Sequence, residues 1–397
     1  MKKIFTLAAV AALVLSACAK IETEKTPAEP EAISFGVYTP KVVPTKVGGA
    51  AGTQTNATLG KSDGTGFGVF AFYSDNSTNG AANDYNPESS NFVPNFMWNT
   101  QVKGNGDGTV AATAWTYSPI KYWPNEYNAS VTTQGIDKIT FFAYAPWVSA
   151  TNNTGVVGSE TEGITTITSN ETDTAGDPTL TYVVPSDAAN HVDILYADKA
   201  NLINLTKPES NTAVTFNFKH ALTSIAFRVQ TFIDGVNDTG DLNDEGNVVD
   251  AATTVTLKEI HFGGANVYPS GTLNIATGAW SPAAATEKTF SKTGLTQSVT
   301  KTKADVAGFD PIMIIPNSTS ASYNVEVVYT VETADADLKA EKSTVNNDIK
   351  NSISLTLLAG KKNVIDLVLG LYTVKMTASV EDWSDADPKE IDLPTNN

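Results

Sequence analysis

Alternation of apolar and polar residues with a period of two recurs along this 397-residue chain, and it confines most of the fold to β-sheet. Val214, Phe216 and Phe218 alternate with Thr215, Asn217 and Lys219; Tyr323, Val325, Val327, Tyr329 and Val331 alternate with Asn324, Glu326, Val328 and Thr330. Val374, Met376, Ala378 and Val380 repeat the pattern near the C-terminus. Strands of this kind turn one face to a core and the other to water, as antiparallel sheets do. The pieces between them are rich in Gly, Asn, Asp, Ser and Thr, which make turns by tolerating positive φ or by bonding their own backbone. Only residues 337–343 read as a short helix. Hydrophobic residues make up 41% of the chain and charged ones 17%, enough for a packed core and unlike a disordered composition. The pattern predicts an all-β protein built of sandwiches. Strand-like segments cover 32–197 and 213–380, with the polar stretch 198–211 between them. This places two domains at 32–205 and 206–397, and long polar loops at 151–178 and 234–250.

The N-terminus carries a different signal. Lys2 and Lys3 precede the apolar run from Ile4 to Leu15, which is followed by Leu15-Ser16-Ala17-Cys18. The run is too short to span a bilayer and has the layout of a secretory signal over 1–17. The single cysteine of the chain stands where a bacterial lipoprotein signal places it, and the segment resembles a lipobox. That resemblance implies cleavage before Cys18 and attachment of acyl chains, palmitate among them, to its sulfur and new amine. More than one chain is needed, because a single acyl chain binds a membrane only marginally. Residues 18–31 are polar, acidic and proline-containing and read as a flexible tether. Acidic residues directly after the cysteine also resemble surface-export signals of Bacteroidota lipoproteins.

Chemistry-bearing residues are few. The formal charge of −17, with Arg228 the only arginine, argues against nucleic acid, which requires clustered cations. One cysteine excludes an intrachain disulfide. His191, His220 and His261 share no metal-ligand or catalytic spacing and read as structural histidines, so no cofactor and no metal are expected. Asp234, Asp238, Asp241, Asp244 and Glu245 supply oxygens of the kind calcium takes but not the spacing of an EF-hand, and they read as a solvated loop. Gly64, Gly66 and Gly68 precede a strand rather than a helix and read as a turn. Trp115, Tyr117, Tyr122, Trp123 and Trp147 are candidates for a sugar platform or, more simply, for core. No enzyme motif is present, and the chain reads as non-catalytic.

Several short pieces occur in a fixed order. They are Ile33-Ser34-Phe35, Phe67-Gly68-Val69-Phe70-Ala71-Phe72, Trp115-Thr116-Tyr117-Ser118-Pro119 and Tyr122-Trp123-Pro124. Phe141-Phe142-Ala143-Tyr144-Ala145-Pro146, Asp193-Ile194-Leu195-Tyr196-Ala197, Phe218-Lys219-His220-Ala221-Leu222, Ile314-Ile315-Pro316 and Val380-Glu381-Asp382-Trp383 follow. With the lipobox, this ordered set resembles the Bacteroidales fimbrillin family, lipoproteins that build or cap type V pili. The resemblance implies two tandem transthyretin-like (Greek-key) β-sandwiches. It also implies assembly by strand exchange: a protease removes the first strand, and the open groove accepts a strand from a neighbour's C-terminus. β-Augmentation is the physical basis, since a donor strand satisfies both the unpaired backbone and the apolar groove. Mapped here, the removable strand is 32–38, with Ile33, Phe35 and Val37 facing the groove. The donor lies within 375–393 and includes Val380 and Trp383.

The best-known pilins of the family are cut after arginine; here Lys46, before Val47-Gly48-Gly49, is the preferred processing site, with Lys41 and Lys61 as others. Asp173-Thr174-Ala175 resembles a short O-glycosylation acceptor of this bacterial group. The expected partners are other pilus subunits, of the same or a different chain, and the outer membrane through the lipid of the precursor. Host or bacterial surface ligands are also expected, and the fimbrium is the location after processing. The alternative is an unprocessed surface lipoprotein that anchors a pilus or binds glycan or host protein.

Overall fold

A computed structural model describes residues 31–38, 56–74, 84–88, 92–107, 112–124, 137–149, 162–167, 176–208, 213–232, 253–333, 343–370 and 373–382. In chain order the strands are β1 (Phe35–Tyr38), β2 (Phe67–Ser74), β3 (Met97–Gly104), β4 (Trp115–Thr116), β5 (Lys138–Ala145), β6 (Gly163–Ile167), β7 (Thr179–Val183), β8 (Leu195–Ala197) and β9 (Val214–His220). They continue as β10 (Thr223–Thr231), β11 (Thr254–Val267), β12 (Ser270–Asn274), β13 (Trp280–Pro282), β14 (Thr286–Lys292), β15 (Gln297–Val299), β16 (Ala304–Asp305), β17 (Ile312–Ile314), β18 (Asn317–Thr333), β19 (Ser343–Leu357), β20 (Lys361–Leu369) and β21 (Val374–Asp382). A four-residue helical turn, Asn56–Leu59, is the α-helix among the described residues. The protein is all-β.

Four sheets result. A seven-stranded sheet runs β1-β9-β8-β5-β2-β3-β4. Two five-stranded sheets follow the orders β16-β10-β20-β21, with β17 also on β10, and β14-β11-β18-β19, with β15 also on β11. The fourth, β13-β12-β7-β6, joins strands from both halves of the chain.

The alternation read from the sequence is realised where a sheet has one wet face. In β9, Val214, Phe216, Phe218 and His220 are buried while the residues between them are exposed. β18 buries Tyr323, Val325, Val327, Tyr329 and Val331 in the same way. β2 and β5 instead are buried on both faces, because the seven-stranded sheet lies between two cores. Phe67, Val69 and Ala71 enter one core with Ile139, Phe141 and Ala143. Phe70 and Phe72 enter the other with Phe142 and Tyr144. Gly68 is required here: a Cβ would run into the Tyr144 ring and the Asn99 side chain.

Three sequence-based expectations change. The polar stretch after β8 is no linker: Leu202 is 1% exposed, Leu205 bridges Ile139, and Asn201 and Asn204 turn the chain at positive φ of 66° and 55°. β9 lies beyond the expected 205/206 division yet pairs with β8 and β1, so the chain passes to the next sheet at Ala221-Leu222. The expected loop 151–178 contains β6, because Ile164 is fully buried in the core and its backbone pairs with β7. The loop 234–250 and most of 337–343 lie outside the described residues, Ser343 alone opening β19.

Candidate functional site

The first strand sits in a slot with two different walls. On one side β1 runs parallel to β9, with Phe35, Gly36, Val37 and Tyr38 opposite Val214, Thr215, Phe216 and Asn217. The Val214 N–H also donates to the Ser34 carbonyl at 2.8 Å. On the other side the chain just before β1 meets residues 121–123. Ile33 N–H donates to Lys121 O at 2.9 Å, Trp123 N–H donates to Glu31 O at 3.0 Å, and Ala32 bridges Tyr122. Tyr117 closes this wall: its hydroxyl donates to Ile33 O at 2.8 Å and accepts the Lys121 N–H at 3.3 Å. Burial pushes the Tyr117 hydroxyl above the ordinary phenol value, which keeps it a donor at all working pH. An ion pair, Lys207 to Glu31 at 3.4 Å, ties down the start of the segment.

The floor is aromatic. Ile33 and Phe35 are 2% and 5% exposed, and Val37 is half-buried. The Phe35 ring lies 5.0 Å from Tyr117, 5.4 Å from Phe216 and 6.0 Å from Phe141, centroid to centroid. Ser34 and Ala32 point outward. A cleft of about 320 Å³ bounded by Trp123, Leu205, Pro208, Val214 and Asn217 opens beside the β9 edge.

Of the expected processing lysines, Lys41 and Lys46 lie outside the described residues, as do Cys18 and Trp383. Lys61 is held in a tight turn: its N–H donates to Thr58 O, Gly64 N–H donates to its carbonyl at 3.0 Å, and it bridges Gly106. Leu59, two residues before it, is 2% exposed in the core. Val380 stands in β21, opposite Asn363 of β20. β21 pairs along its whole length with β20, from Leu369–Val374 to Lys361–Asp382. The part of the expected donor from Lys375 to Asp382 therefore already completes a sheet of its own chain.

The histidines stay apart. His191 is 1% exposed; its Nε2 contacts Pro185 O at 2.9 Å and its Nδ1 accepts the Met313 N–H at 2.9 Å. Those two bonds assign the proton to Nε2, and burial pushes the pKa down to about 4. His220 and Asp193 pair at 2.9 Å in the interior, and His261 contacts Ser291 Oγ at 2.7 Å and Glu259. No cluster of three potential metal ligands occurs among the described residues. The aromatic candidates do not share a surface. Tyr117 and Trp123 are buried, Trp115 packs on Phe67 at 5.2 Å, and Trp147 donates its indole N–H to Asn99 O. Tyr122, 49% exposed, lies at the slot with Ile120 at 48%. The aromatic box around Phe35 is what sequence reasoning missed. Phe141 and Phe216 sit in strands that read as ordinary core, and nothing local announces that they meet position 35.

Comparison with known proteins places the slot in context. A family model described as fimbrillin-like matches residues 53–383. A fimbrium subunit, Fim1C, of Phocaeicola vulgatus is 25% identical over 420 aligned residues, covering 98% of each chain. A crystal structure of a fimbrial protein from Bacteroides vulgatus superposes with a TM-score of 0.61 at 21% identity, covering 89% of this chain and 99% of that one. No helix among the described residues is long and apolar enough to cross a membrane.

Proposed function

Because the chain belongs to the fimbrillin-like family, we propose that it is a structural subunit of a type V fimbria, joined to its neighbours by strand exchange and serving adhesion. The observation that carries this reading is the seating of residues 31–38. The segment forms the edge strand of the seven-stranded sheet, fills a core with Ile33 and Phe35, and bonds through its backbone on both sides. Its removal would leave an apolar groove and a row of unpaired β9 backbone groups, the two features that β-augmentation satisfies. The body is then two tandem transthyretin-like sandwiches that meet at Ala221-Leu222 and are bridged by the sheet β13-β12-β7-β6. Export proceeds as a lipoprotein acylated on Cys18 and held at the outer membrane until processing. Cleavage falls at Lys46 or Lys41 rather than Lys61, since a protease needs an extended, accessible chain and Lys61 is bound into a turn against the core. With Val374–Asp382 engaged on β20, the donor falls to the residues from Trp383 onward.

The test is the intact mass and N-terminal sequence of the protein recovered from the native cell surface. A chain starting at Val42 or Val47, directly after Lys41 or Lys46, supports processing and exchange. A chain still starting at acylated Cys18 refutes the stalk role and leaves a lipid-held anchor subunit.

A further inference from the structure

The slot makes two kinds of demand on the strand it holds. The β9 edge, the Lys121 carbonyl and the Tyr117 hydroxyl address only backbone, so they accept any extended chain. The position of Phe35 is different, because three rings surround it at 5.0–6.0 Å and leave it 5% exposed. We propose that the box of Tyr117, Phe141 and Phe216 makes the slot selective for a strand with an aliphatic residue followed, two positions later, by phenylalanine. We further infer that its occupant in the fibre is such a strand from a different fimbrillin-like chain, not this chain's own tail. The inference rests on the strand-exchange reading above.

The physical grounds are size and polarity. A smaller side chain in the box leaves a void that the surrounding rings, all three buried, cannot collapse to fill. An aliphatic side chain also loses the ring-edge contacts that aromatic pairs add beyond burial. Tyrosine is disfavoured because its hydroxyl needs a partner, and the Tyr117 hydroxyl is already committed to Ile33 O and the Lys121 N–H.

The sequence of the tail fits this box poorly in the direction of β1. With Trp383 in the box, Glu381 and Asp385 fall on the places of Ile33 and Val37. With Ile391 on the place of Ile33, Leu393 falls in the box and Thr395 follows. The first register puts carboxylates against core, and the second puts an aliphatic where the rings call for an aromatic.

The experiment uses the full mature chain with a specific protease site inserted between Lys46 and Val47. After nicking, labelled peptides compete for the slot: the native 31–39 sequence, its Phe35→Tyr, Phe35→Leu and Phe35→Ala forms, and the tail sequence 387–395. The native peptide should enter, the tyrosine and leucine forms should bind about tenfold more weakly, and the alanine and tail peptides about a hundredfold more weakly. Entry of all peptides within about threefold of one another would overturn the selectivity while leaving strand exchange standing. Entry of none, with the nicked strand retained, would sink strand exchange and the selectivity with it. Should the nicked chain unfold, the ranking Phe, Leu, Ala is read from urea midpoints of intact F35L and F35A chains. Equal midpoints overturn the proposal.

Discussion

His191 is refused a proton by its surroundings, since both ring nitrogens are committed and the side chain is buried. Its folded pKa, about 4, lies below the ordinary 6.5. Between those values the unfolded chain binds a proton that the folded chain does not. The stability this histidine contributes is therefore complete above pH 6.5 and lost as pH falls through 4, by on the order of 3 kcal/mol. Denaturant unfolding of the wild type should weaken over that window, and His191→Gln should flatten that slope relative to wild type while lowering stability at pH 7. An unchanged slope would refute the assignment. That His191 is structural is legible from the sequence, because the three histidines share no spacing. Its partners are not legible: Pro185 and Met313 lie far apart in the chain, and only tertiary packing brings them to one ring. Gly68 is similar. The sequence marks it as a turn glycine, whereas its requirement is the Tyr144 ring across β5. Gly68→Val should cost about 3 kcal/mol or more, measured by thermal unfolding, because backbone and ring would have to move apart.

β10 and β20 run parallel over eight register pairs, from Ser224–Lys362 to Thr231–Leu369, and one ion cluster spans that ladder. Arg228 Nε donates to Asp366 Oδ1 at 2.7 Å and its Nη2 to Oδ2 at 3.3 Å, while Lys303 Nζ reaches the same Oδ2 at 2.7 Å. Asp366 is 8% exposed and holds both cations, so its removal leaves Lys303 and Arg228 without their shared carboxylate, Arg228 keeping Glu381 at 4.0 Å. Asp366→Ala should destabilise by about 2–3 kcal/mol and Lys303→Ala, at the wetter rim, by less than about 1 kcal/mol, both read from urea unfolding at low salt. Equal effects would show that the cluster is not organised around the carboxylate. The strands themselves are largely legible, since β9, β18 and β21 follow the period-two pattern. Which strands pair is not. A parallel β1–β9 or β10–β20 ladder joins segments far apart in sequence, and no local periodicity encodes a distant partner.

One hydrophobic core runs from Phe70 and Tyr182 in the first half of the chain to Ile365 and Ala378 near its end. β7 pairs with β12 across the midpoint of the chain, and Trp280 donates its indole N–H to Ala221 O at 2.7 Å beside the junction of the two halves. Neither half can open without exposing the other. Heating should therefore give a single calorimetric transition with van't Hoff and calorimetric enthalpies in agreement. Two resolved transitions would show that the halves are energetically separate. This coupling explains why the boundary is harder to read than the fold class. Turn-rich composition marks 198–211 as a break, but Leu202 and Leu205 seat the chain there on the first core.

The parallel seating of β1 against β9 also sets an order in time. Under the export proposed above, Phe35 would emerge early, yet its ladder partner Val214 belongs to the second half. Residues 31–33 can meet 121–123 as soon as those have emerged, but the β1–β9 ladder cannot form until the second half has followed. Under strand exchange, the chain's own strand and the strand that links two molecules occupy the same slot in turn. A cell that controls when the first leaves thereby controls when the second can enter.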